Sequence, residues 1–294
     1  VKSHMGVWKI IVFTNLLIAC AAGAQVLLSY LIFQIPYNFN VVLLELSATL
    51  LLYNLSIWIS KPNDHKTSPY ERTRWIFGNI HVFWTLNAIV SLLLIYTLTQ
   101  IHFHTFLYLG FIGVLSLAYA LPTLKIHGQW KNFRHVPYIK VFHIALIWSL
   151  STVGLVYIEH SNNLQAVEWT SLLYVLSCKF LFILLVTLPF DIRDMKQDSY
   201  YHLKTVPLAL GQVKAQNLCY MLGLVHILLV LAMPTTSDIK IGLIVCDVLV
   251  LILFKTKIFK EQNSFLNVYL LDLVLVIQYL FCLFSVQIAN NFIR

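Results

Sequence analysis

The sequence predicts an all-α, polytopic membrane protein of nine transmembrane helices, and three observations predict it. The chain is 59% hydrophobic and only 11% charged, where a soluble domain carries about a quarter charged residues. Its apolar residues run in windows of about 20, the helical length that crosses a bilayer core. Its lysines and arginines gather in alternate loops between those windows.

The windows can be taken in order. The first, residues 9–34, is too long for a signal-peptide core and stops at Pro36. Residues 39–60 form the second, closed by the polar stretch 61–74. The third covers 76–98, and the fourth, 104–121, stops at Pro122. Residues 138–158 follow Pro137, and 168–190 run into an acidic segment. After Pro207 come 214–233, ended by Pro234, then 239–256 and 265–290. No soluble domain, linker or low-complexity tract interrupts them, so residues 1–294 read as one integral-membrane domain.

Charge sets the expected orientation. Lys2 and Lys9 precede or open the first window; Lys61, Lys66, Arg72 and Arg74 follow the second; Lys125, Lys131, Arg134 and Lys140 follow the fourth. Arg193, Lys196, Lys204 and Lys214 follow the sixth, and Lys255, Lys257 and Lys260 the eighth, whereas the other side has only Lys240 and Arg294. The positive-inside rule then puts the N-terminus and the long loops in the cytoplasm and the C-terminus outside. The net charge of +8 is therefore a topology signal rather than a nucleic-acid patch, and no protein partner is inferred. Cys20, Cys178, Cys219, Cys246 and Cys282 are scattered through apolar windows without metal-ligand spacing and read as small packing residues.

The most informative stretch is residues 187–207. Asp191, Asp194 and Asp198 follow a wholly apolar segment. If the helix continues, steps of three and four put all three on one face. Such a cluster at a membrane boundary is costly unless a cation neutralises it. A hard divalent ion with oxygen ligands suits it, and Mg2+ commonly bridges carboxylates to a diphosphate. The plainer reading is a solvated loop of mixed charge. Orientation alone explains cytoplasmic lysines and arginines. Lys125, Arg134, Lys140 and Lys204 nevertheless lie in loops that would converge on the acidic cluster, where they would bind phosphate oxygens.

These residues resemble a known family. Asp191-Ile-Arg-Asp194-Met-Lys-Gln-Asp198, followed by Lys204-Thr-Val-Pro207 and Gly211, is similar to the second aspartate motif of the UbiA-type intramembrane prenyltransferases. Tyr200 and Lys204 reproduce the adjoining Tyr-x-x-x-Lys pattern. Tyr119-Ala-Leu-Pro122-Thr-Leu-Lys125 resembles the end of the family's fourth helix, and Lys140 with Trp148 the start of its fifth. The chain looks like a divergent bacterial branch. In the family's first motif, Asn-x-x-x-Asp-x-x-x-Asp, Asn54 matches the asparagine, but Trp58 and Pro62 stand where the aspartates belong. Asp64 and Glu71 are out of register.

The resemblance implies a nine-helix bundle around a cavity open to the cytoplasmic side of a bacterial inner membrane. It implies Mg2+-dependent transfer of a prenyl group from an isoprenoid diphosphate to a lipophilic acceptor, with membrane lipid as the surroundings. Asp191, Asp194, Asp198 and Asn54 would hold metal. Lys125, Arg134, Lys140 and Lys204 would bind substrate, and Lys204, Tyr200 and Tyr119 would serve catalysis. The lost aspartates motivate a rival reading, a non-catalytic binder of an isoprenoid diphosphate or another lipid. A transporter is a third class, although no clear internal repeat supports it.

Glu45, Lys179, Asp247 and Asp272 lie inside apolar windows, where ionisable groups face a cavity or a partner. Lys179 is expected ~18 Å deeper than Asp191, paired with Glu45 or else Asp272. Asp247 is near enough to a window's end to reach the interface. His102 and His104 read as interfacial, and most aromatics as membrane packing.

Overall fold

A computed structural model describes residues 9–68, 70–121, 124–126, 129–131, 136–161, 167–260 and 265–293. The helices are α1 (Leu16–Phe33), α2 (Phe39–Ile59), α3 (Glu71–Gly78), α4 (Ile80–Leu98) and α5 (Phe103–Ala120). Then come α6 (Ile139–Ser149), α7 (Leu155–Ser161), α8 (Trp169–Arg193), α9 (Met195–Tyr200), α10 (Val206–Leu210), α11 (Gln212–Ala232), α12 (Ser237–Leu253) and α13 (Phe265–Ile293). A two-stranded antiparallel ribbon, β1 (Leu124–Ile126) and β2 (Gln129–Lys131), is a small addition to the expected all-α architecture.

Every predicted window is helical, but seven rather than nine are long and apolar enough to cross a membrane among the described residues. The two that fall short are α5, whose apolar run is Phe103–Tyr119, and α12, which has 17 residues and carries Asp238, Lys240 and Asp247. The protein is thus an integral, multi-pass membrane protein.

The helices pack neighbour to neighbour: α2 on α4, α1 on α2, α1 on α13, α13 on α12, α12 on α11, α11 on α8 and α8 on α6. The small residues Ala19, Ala21, Ala22, Gly23 and Ala24 let α1 sit deep in the bundle, whereas α4 and α11 present Leu92, Ile95, Leu224 and Leu228 outward. At Gly242 of α12 an added Cβ would fall 2.5 Å from the Cys282 Cα, so glycine sets the α12–α13 spacing.

Three irregularities shape the site. A helical turn over residues 9–13 breaks at Thr14 and Asn15, and Asn15 takes a left-handed backbone (φ 65°) that asparagine tolerates. Residues 150–154 between α6 and α7 are π-helical, a widening often found at functional sites. Pro189 removes one ladder bond from the last turns of α8, and the helix then breaks at Asp194 before α9 restarts.

Candidate active site

The end of α8 buries Asp191, at 2% exposure, and α9 buries Asp198 fully. The break between the helices does not part them, because one cation holds both. Lys140 Nζ, from the first turn of α6, lies 2.6 Å from Asp191 Oδ1 and 3.2 Å from Asp198 Oδ2. The start of α6 is fixed in turn by the Tyr138 N–H, which donates to the Lys204 carbonyl at 2.7 Å. Asp194 accepts from Arg193 at both oxygens, 2.7 Å from Nε and 3.1 Å from Nη2.

A second structure forms around Arg72. The helix break leaves the Phe13 carbonyl to accept from Arg72 Nε at 3.1 Å, and Asn15 Oδ1 accepts from Arg72 Nη2. Behind Asn15 runs a chain of buried amides. Asn15 Nδ2 donates to Asn54 Oδ1 at 2.8 Å, Asn54 Nδ2 to Asn87 Oδ1 at 3.2 Å, and Asn87 Nδ2 to the Phe83 carbonyl at 2.7 Å.

Residues of both line one cavity of about 280 Å³. Its charged lining is three cations, Arg72, Lys140 and Arg193, against three acids, Asp191, Asp194 and Asp272. Asp272 is within electrostatic reach of Arg72 and Arg193. The formal charges of this lining cancel, so a divalent cation would favour the entry of a polyanion. Two apolar cavities of about 250 and 320 Å³ adjoin it, and all three share Tyr53 and Trp148. A pocket with charged groups in its lining thus adjoins, at two aromatic side chains, apolar space with room for a hydrocarbon chain.

The donors suit a hard cation. Asp191 Oδ2 is buried with no hydrogen-bond partner among the described residues, an uncompensated acceptor that a metal or its water would satisfy. Among those residues no three His, Cys, Asp or Glu side chains form a ready cage. Magnesium does not need one, since one or two carboxylates plus substrate phosphates commonly hold it.

The structure gathers only some of the expected site residues. Asp191, Asp194, Lys140 and Tyr119 line the cavity, and Tyr119 stacks on His143 with centroids 5.2 Å apart. Asp198 sits one layer behind, on Lys140. Asn54, expected as a metal ligand, is spent in the amide chain and does not line the cavity. Tyr200, at the end of α9, and Lys204, beyond the turn at His202 (φ 53°), are exposed and outside the lining. Lys125 is exposed on β1, and Arg134 lies outside the described residues. Trp58 packs edge-on against Trp84, Asp64 accepts from the Lys66 N–H, and Glu71 pairs with Lys9, so none of them supplies the cavity.

Sequence reasoning missed Asn15, Arg72, Arg193 and Asp272 as cavity residues. Asp272 was already conspicuous as an intramembrane acid, and Arg193 sits inside the aspartate motif. The pairing of Lys179 differs from expectation: it donates to Gln25, which also bonds Gln278, while Glu45 accepts from Thr49. Asp247 does not reach the interface; it is buried 2.9 Å from His226 Nδ1. At the far end His102 pairs with Glu159 at 3.0 Å.

No protein-family model matches the chain, and no curated protein matches it. Solved structures do. A UbiA homolog from Aeropyrum pernix K1 superposes with a TM-score of 0.64 at 11% identity, over 92% of this chain and 98% of that one. A UbiA homolog from Archaeoglobus fulgidus bound to GPP and Mg2+ gives 0.60 at 14%, over 95% and 99%. A digeranylgeranylglyceryl phosphate synthase structure gives 0.55 at 13%, over 96% and 99%. Matched over nearly its whole length, this apolar helical bundle has the fold of the UbiA homologs.

Proposed function

We propose that the protein transfers a prenyl group from an isoprenoid diphosphate to a lipophilic acceptor within the membrane, with Mg2+ required. The observation that carries this reading is the Lys140-bridged acidic wall at the head of a cavity that continues into apolar chambers. The likeness in fold to a structure bound to GPP and Mg2+ supports it. We read all nine helical windows as crossings, with the cavity mouth and N-terminus cytoplasmic and the C-terminus outside.

Asp191 and Asp194 would hold the metal, with Asp198 keeping Lys140 in place. Bound there, magnesium would neutralise the diphosphate and improve it as a leaving group. Lys140 donates to the phosphate oxygens and stabilises charge as it develops. The allylic C–O bond breaks with its electron pair leaving on pyrophosphate. Tyr119, Tyr53 and Trp148 surround the resulting cation with ring faces and exclude water. The acceptor attacks the cation and gives up a proton.

Pyrophosphate release by the detergent-solubilised protein tests this, with farnesyl or geranylgeranyl diphosphate, membrane lipid extract as acceptor source, and Mg2+ or EDTA. Mg2+-dependent release is expected, and Asp194→Asn and Asp198→Asn should each abolish it in folded protein. Retained turnover in either variant would argue against the site. The absence of first-motif aspartates favours one rival, a binder that holds the diphosphate without cleaving it. Mg2+-dependent binding with no release would select that rival.

A further inference from the structure

We infer that Arg72 is the second diphosphate-binding cation of the cavity, acting on the wall that has no metal-binding carboxylate pair, and that Asn54 positions it through Asn15. The inference rests on the diphosphate reading above and extends it to residues outside the aspartate motif.

A diphosphate presents two phosphoryl groups. One faces the wall built by Asp191, Asp194, Lys140 and Arg193. From the side of α1, α2 and α3 the lining receives Asn15, Ile18, Tyr53 and Arg72, and Asp272 of α13 lies within electrostatic reach of Arg72. Among the described residues, Arg72 is the one cation that these three helices bring to the lining. Its guanidinium is held on one edge by the Phe13 carbonyl and Asn15 Oδ1. A guanidinium has five N–H donors in a fixed plane, so an anchored edge leaves others to form a fork on phosphate oxygens. Asp272 and the Tyr269 hydroxyl neighbour it, which stabilises the cation before an anion arrives.

The break at Asn15 gains a purpose on this view. A continuous helix would engage the Phe13 carbonyl in its own ladder. The left-handed turn frees that carbonyl and turns the Asn15 amide toward Arg72. The Asn15–Asn54–Asn87 chain then fixes which end of each amide points where. Asn54 at 1% exposure and Asn87 at 8% leave little freedom to rotate. An arginine so anchored supplies fixed positive charge without a bound ion.

The test is calorimetric titration of the full-length, solubilised protein with inorganic pyrophosphate in Mg2+, alongside Arg72→Gln, Arg72→Lys, Asn54→Leu, Arg72→Gln/Asn54→Leu and Asp194→Asn. Loss of a charge-assisted fork should weaken binding about tenfold or more in Arg72→Gln. Arg72→Lys should recover only part of it, since an ammonium cannot hold the anchor and the fork together. Asn54→Leu should weaken binding with Arg72 present and have no further effect in the Arg72→Gln background, a coupling that a merely structural asparagine would not give. Unchanged affinity in both Arg72 variants, with loss in Asp194→Asn, would overturn the inference and leave the diphosphate site standing. No binding by the unsubstituted protein would overturn both.

Discussion

The loss of Lys140 should be costly. Its ammonium compensates two carboxylates that are at most 2% exposed. Lys140→Met would leave both in low dielectric, where removing one partner of a buried pair costs about 3–5 kcal/mol. Denaturant titration in mixed micelles should show that loss, with partial recovery in Lys140→Met/Asp191→Asn. An unaltered midpoint would mean that solvent reaches the pair. At this scale the sequence was legible where residue type and spacing agree. Asp191, Asp194 and Asp198 stand out because carboxylates seldom follow directly on an apolar window. Arg72 did not stand out, because orientation already accounts for a cytoplasmic arginine. Lys179 was matched to the wrong partner because depth along a helix says nothing about azimuth, and Gln25 faces it across α1.

At the scale of helices, length and hydrophobicity located every window to within a few residues, and the breaks inside them stayed hidden. Nothing in the apolar run around Asn15 signals a left-handed residue, because the φ value answers to Arg72, which is 57 positions away. The π-turn at 150–154 is similarly tertiary: Tyr108 donates to the Leu150 carbonyl at 3.1 Å. Glycine at 242 also acts through a neighbour. An added Cβ would meet the backbone of Phe281 and Cys282 at 2.5–2.9 Å, and backbone cannot rotate aside. Gly242→Ala should therefore separate α12 from α13 and destabilise the protein by about 1–3 kcal/mol, the usual cost of overpacking. Gly110→Ala, with nothing within 4 Å of the added atom, is the control. Equal melting temperatures for the two variants would show that α12 and α13 are more loosely joined than the structure has them.

Across the whole molecule, the membrane-spanning, all-α class was readable from the length of the apolar windows and the placement of charge, and the site only in part, since most of its lining lies outside the segment that carries the aspartates. Proteins that gather acidic side chains around an ion commonly owe their folding to that ion, and they collapse when it is chelated. The lysine clamp separates the two here. A covalently tethered ammonium already occupies the place of a structural counter-ion, so the acidic wall stays assembled in metal-free solution. EDTA should therefore extinguish turnover while leaving the unfolding midpoint where it was, and restored magnesium should revive activity without a refolding lag. A melting transition that moved down with chelator would mean that the lysine does not do the ion's structural work.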